Sequence, residues 1–239
     1  MTEVCAPAAP VTGGAGVARD GIEPVLADCL ARSAAQHAHL CPRQVLGARI
    51  GLHAAALLGA PAPQADKRLL AIIEMDGCFV DGVTAATGCT LGHRTLRLVD
   101  YGKAALTLVD TLTERAVRVW PHPLARARAL AHAPAAATRW HAQLAAYAIM
   151  PAEELLCAAE VVLTLDLAAL ISRPGQRVAC AGCGEEIMNA REVLVGERAF
   201  CRACAGERYY LAGGVAGPGW AQSVAAGRVG EWTPAGGVR

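Results

Sequence analysis

The 239-residue chain is 54% hydrophobic and 18% charged, which supplies core for one large domain or two small ones and excludes a mainly disordered protein. With 22 Lys and Arg against 21 Asp and Glu the net charge is +1, and aromatics make up 4%. That balance argues against nucleic acid and anionic membranes as partners, and so few aromatics cannot build a base-stacking platform.

Residues 1–24 are rich in Ala, Gly and Pro without period and read as a flexible leader. They lack a basic segment followed by an apolar one, so no secretory signal is expected and the reducing cytoplasm is the expected compartment. Val25 to Ala35 has helical spacing, with Leu26 and Leu30 on one face. Pro42 suits the first turn of a helix reaching about Leu58, striped by Leu46, Ile50 and Leu57. Gly47 and Gly51 stand one turn apart on it and would let another backbone approach closely. Arg68 to Met75 reads as a buried strand, and Asp81 as the N-cap of a short helix ending at Gly88. Leu96 to Val99 and Ala104 to Val109 read as strands around a turn at Tyr101-Gly102, and Val117 to Val119 as another. An Ala-rich helix is expected over about Leu124 to Met150, then a further helix after Pro151 with Glu153 and Glu154 in its first turn. The apolar stretch from Leu155 to Ile171 is broken by Glu160 and Asp166, so no membrane span is expected. Strands embedded among helices give an α+β class. The organisation is a core domain over 25–172, a linker over 173–178, a finger over 179–210 and a Gly-rich tail over 211–239 in which Trp220 and Trp232 are candidate docking residues.

The strongest chemical signal is Cys180-Ala-Gly-Cys183, then 17 residues, then Cys201-Arg-Ala-Cys204. Two residues between cysteines let one tight turn aim both sulfurs at one ion, and two such turns complete a tetrahedron of thiolates. A four-thiolate site has no open position, so the zinc it implies is structural. Two disulfides, or four unrelated buried thiols, are the competing reading. Val193 to Val195, Gly196 and Arg198 to Phe200 suggest a hairpin between the pairs, and Ala203 to Tyr210 a short helix, the order of a treble clef or zinc ribbon.

A second cluster lies early. His37, His39 and Cys41 alternate, and Pro42 pushes Cys41 toward an extended shape in which the three would project to one side. Imidazole and thiolate together suit zinc or another divalent metal. Cys41 also precedes a helix, whose positive end favours a thiolate, so it can be read as ligand or nucleophile. Equally, Cys41 can be a small buried hydrophobe and the histidines partners of loop carbonyls. Glu74, Asp76, Cys78 and Asp81 follow the buried strand, Cys89 stands between glycines after a short helix, and Asp100 to Lys103 forms a polar turn.

Taken in order, His37-Ala-His39-Leu-Cys41-Pro42, Leu46-Gly47, Gly51, Glu74, Asp76, Cys78, Val80-Asp81, Thr87-Gly88-Cys89-Thr90, Gly92 and Asp100-Tyr101-Gly102-Lys103 resemble the FmdE family, named for a component of formylmethanofuran dehydrogenase. Ala38 and Arg43 replace two glycines of the family pattern, and Gly92-His93-Arg94-Thr95 replaces its Gly-Lys-Gly-Asn. The resemblance implies an α+β core that forms a homodimer, a metal-associated pocket containing the His/Cys motif, an appended treble-clef finger, and an association with molybdenum or tungsten oxidoreductases.

The expected function is a metal-binding, accessory or metal-handling protein. His37, His39 and Cys41 would hold zinc or another divalent metal in the core, with Cys78 and Cys89 lining the pocket. Asp81 would orient a histidine and Lys103 would hold an anionic ligand. The alternative is a cysteine-dependent enzyme of sulfur or acyl transfer, with Cys41 as nucleophile and His39 activating it.

Overall fold

The computed structural model describes residues 22–35, 37, 39–171 and 175–210. Residues 1–21 of the leader, residues 173 and 174 of the linker, and the Gly-rich tail with its two tryptophans lie outside the described residues, while Pro24, read as leader, begins the first helix. The chain divides into two compact units, Met1–Leu167 and Ala168–Arg239.

In the first unit α1 (Pro24–Ala34) and α2 (Pro42–Leu58) precede β1 (Leu69–Ile73). Then come α3 (Cys78–Thr87), β2 (Leu96–Leu98), β3 (Leu106–Asp110), β4 (Ala116–Pro121), α4 (Ala125–His132), α5 (Arg139–Ile149), α6 (Ala152–Leu155) and β5 (Leu156–Val161). The sheet order is β2-β1-β3-β4-β5, with β1 and β2 parallel and every other neighbour antiparallel. The two strands around Tyr101-Gly102 therefore do not pair with each other; they flank β1, and the turn between them crosses its end. Leu69, Ala71 and Ile73 of β1 join Leu106, Leu108, Val117 and Val119 in one core with Val45 and Ile50 of α2 and Phe79 and Val83 of α3. Leu70 and Ile72, on the opposite face, are buried too, which is why β1 reads as a continuous apolar run.

Helices α2 and α3 pack backbone to backbone. A Cβ on Gly47 would lie 2.2 Å from the Phe79 carbonyl oxygen, and one on Gly82 would lie 2.1 Å from that of Gln44. No side chain could occupy either position without separating the helices.

Four local expectations in the first unit differ from the structure. Asp81 is not an N-cap: α3 begins at Cys78, capped by Gly77 at φ 77° and ψ −159°, a conformation open to glycine. The Ala-rich stretch is two helices, because Pro134 removes a donor and forces Ala133 out of the helical region to φ −136° and ψ 61°. After Pro151 the helix lasts one turn before Leu156–Val161 pairs with β4 along its length, so tertiary pairing overrides helix propensity. Leu57 is only partly buried, while Ala54 and Leu58 complete the α2 stripe.

The second unit holds α7 (Leu167–Leu170, at the division), then β6 (Arg177–Ala179) paired with β7 (Glu186–Met188) and β8 (Val193–Val195) paired with β9 (Arg198–Phe200). Strand β6 takes up Arg177 and Val178, positions read as linker. The expected hairpin at Gly196 forms, but the helix over Ala203 to Tyr210 does not. Residues 202–206 are turns, and Gly206 at φ 112° cannot continue a right-handed helix. The closing helix that a treble clef requires is thus missing among the described residues.

Candidate functional site

The finger site is built by local turns. Gly184 at φ 76° lets its N–H reach back to the Cys180 carbonyl at 2.9 Å, closing the first knuckle between β6 and β7. The second pair follows β9 directly, and Ala181 N–H donates to the Ala199 carbonyl at 2.8 Å, tying the knuckles together. Gly182 packs under Cys204, where a Cβ would lie 3.0 Å from the Cys204 Cβ. The sulfurs of Cys180, Cys183, Cys201 and Cys204 lie within 4.8 Å of one another, the one such group of three or more donors among the described residues. Burial raises the Cys180 thiol, but N–H groups from Cys201, Cys183 and Gly182 outweigh it and bring it down to about 6. Burial and the neighbouring thiols push Cys204 up to about 12. Thiols sharing one small volume lose a first proton easily and hold the last, which is the condition a cation relieves. The donor set fits a tetrahedral zinc ion.

The early cluster is assembled by tertiary packing. Cys41 is the extended N-cap of α2, at φ −123° and ψ 159°, and is 8% exposed. Its sulfur accepts the Gln44 N–H, while its own N–H donates to Gln44 Oε1 at 2.7 Å. Gln44 Nε2 donates in turn to the Ser33 carbonyl and hydroxyl oxygens at 3.2 and 3.1 Å, joining α1 to the same knot. Gln44 and Ser33 are fully buried. Cys78 opens α3; burial first, then the Cys41 thiol and the Asp81 charge, push its thiol up. The Asp81 carboxylate sits 2.5 Å from His37 Nε2.

The structure does not bring all the expected residues together. His37 and His39 are exposed whereas Cys41 is buried, so the alternating triplet does not present one face. The nearby donors stand as two pairs, His37 with Asp81 and Cys41 with Cys78. Cys89 is not a pocket residue: it follows the far end of α3, about 16 Å along the helix from Cys78 at ~1.5 Å per residue, and its buried thiol donates to the Leu69 carbonyl at 3.3 Å. Burial raises that thiol, as suits a core cysteine. Lys103 is exposed, its amine 6.0 Å from the Tyr101 ring centre. The N–H groups of Tyr101 and Lys103 both donate to the Glu74 carbonyl, at 2.9 and 3.1 Å, which places this turn at the end of β1 that leads into Cys78.

Sequence reasoning missed Gln44, Ser33 and Arg118. Arg118 grips the buried Glu74 carboxylate with two nitrogens at 2.6 and 2.8 Å and stacks on Trp120, fixing the end of β1. Gln44 had a local signal, since it stands three residues after Cys41 in capping-box position. Arg118 lies 44 residues from Glu74 and had none.

Comparison with known proteins places two families along the chain. The family model described as "FmdE, Molybdenum formylmethanofuran dehydrogenase operon" matches residues 36–165, over half of the chain, and that of the prokaryotic dksA/traR C4-type zinc finger matches residues 173–210. A probable S-adenosyl-L-methionine-binding protein of Archaeoglobus fulgidus is 40% identical over 94 residues, 38% of this chain and 26% of that protein, so the chain spans about a quarter of that relative. The crystal structure of a tungsten formylmethanofuran dehydrogenase FmdE-like protein from Syntrophus aciditrophicus shares the fold at a TM-score of 0.51 and 22% identity, covering 78% of this chain and 95% of that one. The mixed core with its ordered His, Cys, Asp and Gly motifs, followed by four converging cysteines, belongs to a member of the FmdE family that carries a C4-type zinc finger.

Proposed function

We propose that this FmdE-family chain is a metal-handling accessory protein with two unlike centres. In the finger, Cys180, Cys183, Cys201 and Cys204 hold a structural zinc. In the core, Cys41 and Cys78 supply thiolates and His37 an imidazole. With Nε2 engaged by Asp81, His37 keeps Nδ1 as the ligand atom, the carboxylate–histidine pairing that fixes ring orientation in metal sites. His39 is exposed at the rim and is the candidate fourth ligand; Lys103 borders the same sheet end and is the candidate holder of an anionic ligand. A bound divalent ion would supply Lewis acidity or itself be the cargo. The observation that carries this reading is that Cys41 and Cys78 start two helices packed in parallel, with Asp81, one turn into the second helix, bonded to His37.

The test is metal content of the full chain: two divalent ions per chain in the parent, one in Cys41→Ser with His37→Ala. Equal content in both would reject the core centre. The names of the matched family and fold neighbour support a molybdenum or tungsten oxidoreductase as the partner, and a homodimer is the working form we propose from the sequence resemblance. Recovery of such an enzyme on the tagged chain, lost from the core double variant, tests the first; sedimentation tests the second. The alternative, Cys41 as a nucleophile activated by His39, has less support, since Cys41 is buried beside a second thiol and His39 is exposed. Rapid alkylation of Cys41 that collapses in His39→Ala would restore it.

A further inference from the structure

Helices α2 and α3 run in the same direction where they touch. Gly82 meets the Gln44 carbonyl near their starts, and Gly51, midway along α2, meets Ala86 and Thr87 at the end of α3. Their N-termini therefore lie side by side, and each begins with a cysteine: Cys41 as the cap of one, Cys78 as the first residue of the other. The α2 backbone holds the Cys41 sulfur through the Gln44 N–H, and the glycines let the two helix starts pack backbone to backbone with no side chain between them. The other core thiols behave differently. Cys29 donates to the Ala85 carbonyl at 3.5 Å and Cys89 to the Leu69 carbonyl at 3.3 Å, each satisfied by backbone. Cys41 is 8% exposed and Cys78 half-buried, so a small reagent meets Cys78 first.

We infer that Cys41 and Cys78 form an oxidisable dithiol that closes to an intramolecular disulfide, and that metal in the core site and this disulfide exclude each other. The oxidant is a low-molecular-weight disulfide. The Cys78 thiolate attacks one sulfur of oxidised glutathione, the glutathione S–S bond breaks, and one glutathione thiolate leaves. The Cys41 thiolate then attacks the Cys78 sulfur and expels the second glutathione. Two cysteine thiols lose two electrons, one glutathione disulfide becomes two thiols, and the two cysteine protons pass to the departing thiolates. The product has no thiolate left to bind a cation, and conversely a cation bound by both sulfurs withdraws the nucleophiles. The dithiol stands on the helix geometry; its exclusion by metal rests on the core-centre reading above.

The test uses the full chain loaded with one or two equivalents of zinc, exposed to excess oxidised glutathione, alkylated and mapped by mass spectrometry. With one equivalent, a reducible cross-link between the Cys41 and Cys78 peptides is expected, and Cys41→Ser should stop at glutathione on Cys78. The second equivalent should slow cross-linking by about tenfold or more. Separate glutathione adducts on the parent chain, or unmodified Cys41 and Cys78, would overturn the dithiol. If the second zinc is retained on the chain and the cross-link still forms at the same rate, the exclusion falls while the core metal stands; if the second zinc is not retained, the core metal falls while the dithiol stands.

Discussion

The two cysteine clusters are assembled by opposite routes. In the finger, four sulfurs converge within 4.8 Å through turns that each span a few residues, and among the described residues of the unit few side chains besides Cys180 and Ile187 are buried. In the core, residues some forty positions apart meet because α2 and α3 pack through glycines onto a five-stranded sheet. A local site depends on its ion for order, whereas a tertiary site is held by the fold and can lose its ion without unfolding.

The largest expected effect breaks the first half of that comparison. Cys183→Ser should cost much of a zinc-binding free energy of about 10–16 kcal/mol. Hydrogen exchange over 175–210 should lose its protection while α2 keeps its own; protection retained over 175–210 would show that the finger folds without metal. Next, Gly82→Ala places a methyl 2.1 Å from the Gln44 carbonyl oxygen, which belongs to rigid backbone. It should destabilise the core by about 1–3 kcal/mol or more, seen as a lowered denaturant midpoint, and remove the core metal while the finger metal stays. Gln44→Leu keeps much of the side-chain volume but strands the Cys41 N–H and the Ser33 hydroxyl, at a cost of about 1–3 kcal/mol. Its specific sign is weakened metal binding at the core with the finger stoichiometry unchanged.

The smallest effect is a pH dependence away from both sites. The Arg68 guanidinium, with bonds of 3.0 and 2.7 Å, holds the buried Asp110 carboxyl down at about 2, against an ordinary value of 3.8. A carboxylate lowered by folding contributes stability that is full above its unfolded value and is lost as pH falls through its folded one. Asp110→Asn should therefore flatten the fall in stability between about pH 4 and 2; an unchanged slope would assign that acid loss to other groups.

The same contrast decides what could be read from the sequence. The finger cysteines were legible because their spacing is their geometry. Helices α1 and α2 and strand β1 were legible because Leu26 and Leu30, Pro42 with Leu46 and Ile50, and an unbroken apolar run each act within one element. The paired thiols were only half legible: Cys41 and Cys78 could each be picked out, but their contact depends on Gly47 and Gly82 admitting backbone. Cys89 was misjudged because a cysteine between glycines looks the same whether it faces a pocket or, as here, donates to Leu69 in the core. Strand β5 was missed because Leu156–Val161 is helix-prone in isolation and becomes a strand only against β4.

The central claim is that this chain carries two metal centres of different construction. Anomalous scattering at the zinc edge from a crystal of the zinc-loaded full chain tests it most directly. The account predicts one peak among Cys180, Cys183, Cys201 and Cys204 and a second within bonding distance of Cys41, Cys78 and His37 Nδ1. A well-ordered core with a peak at the finger alone would contradict it.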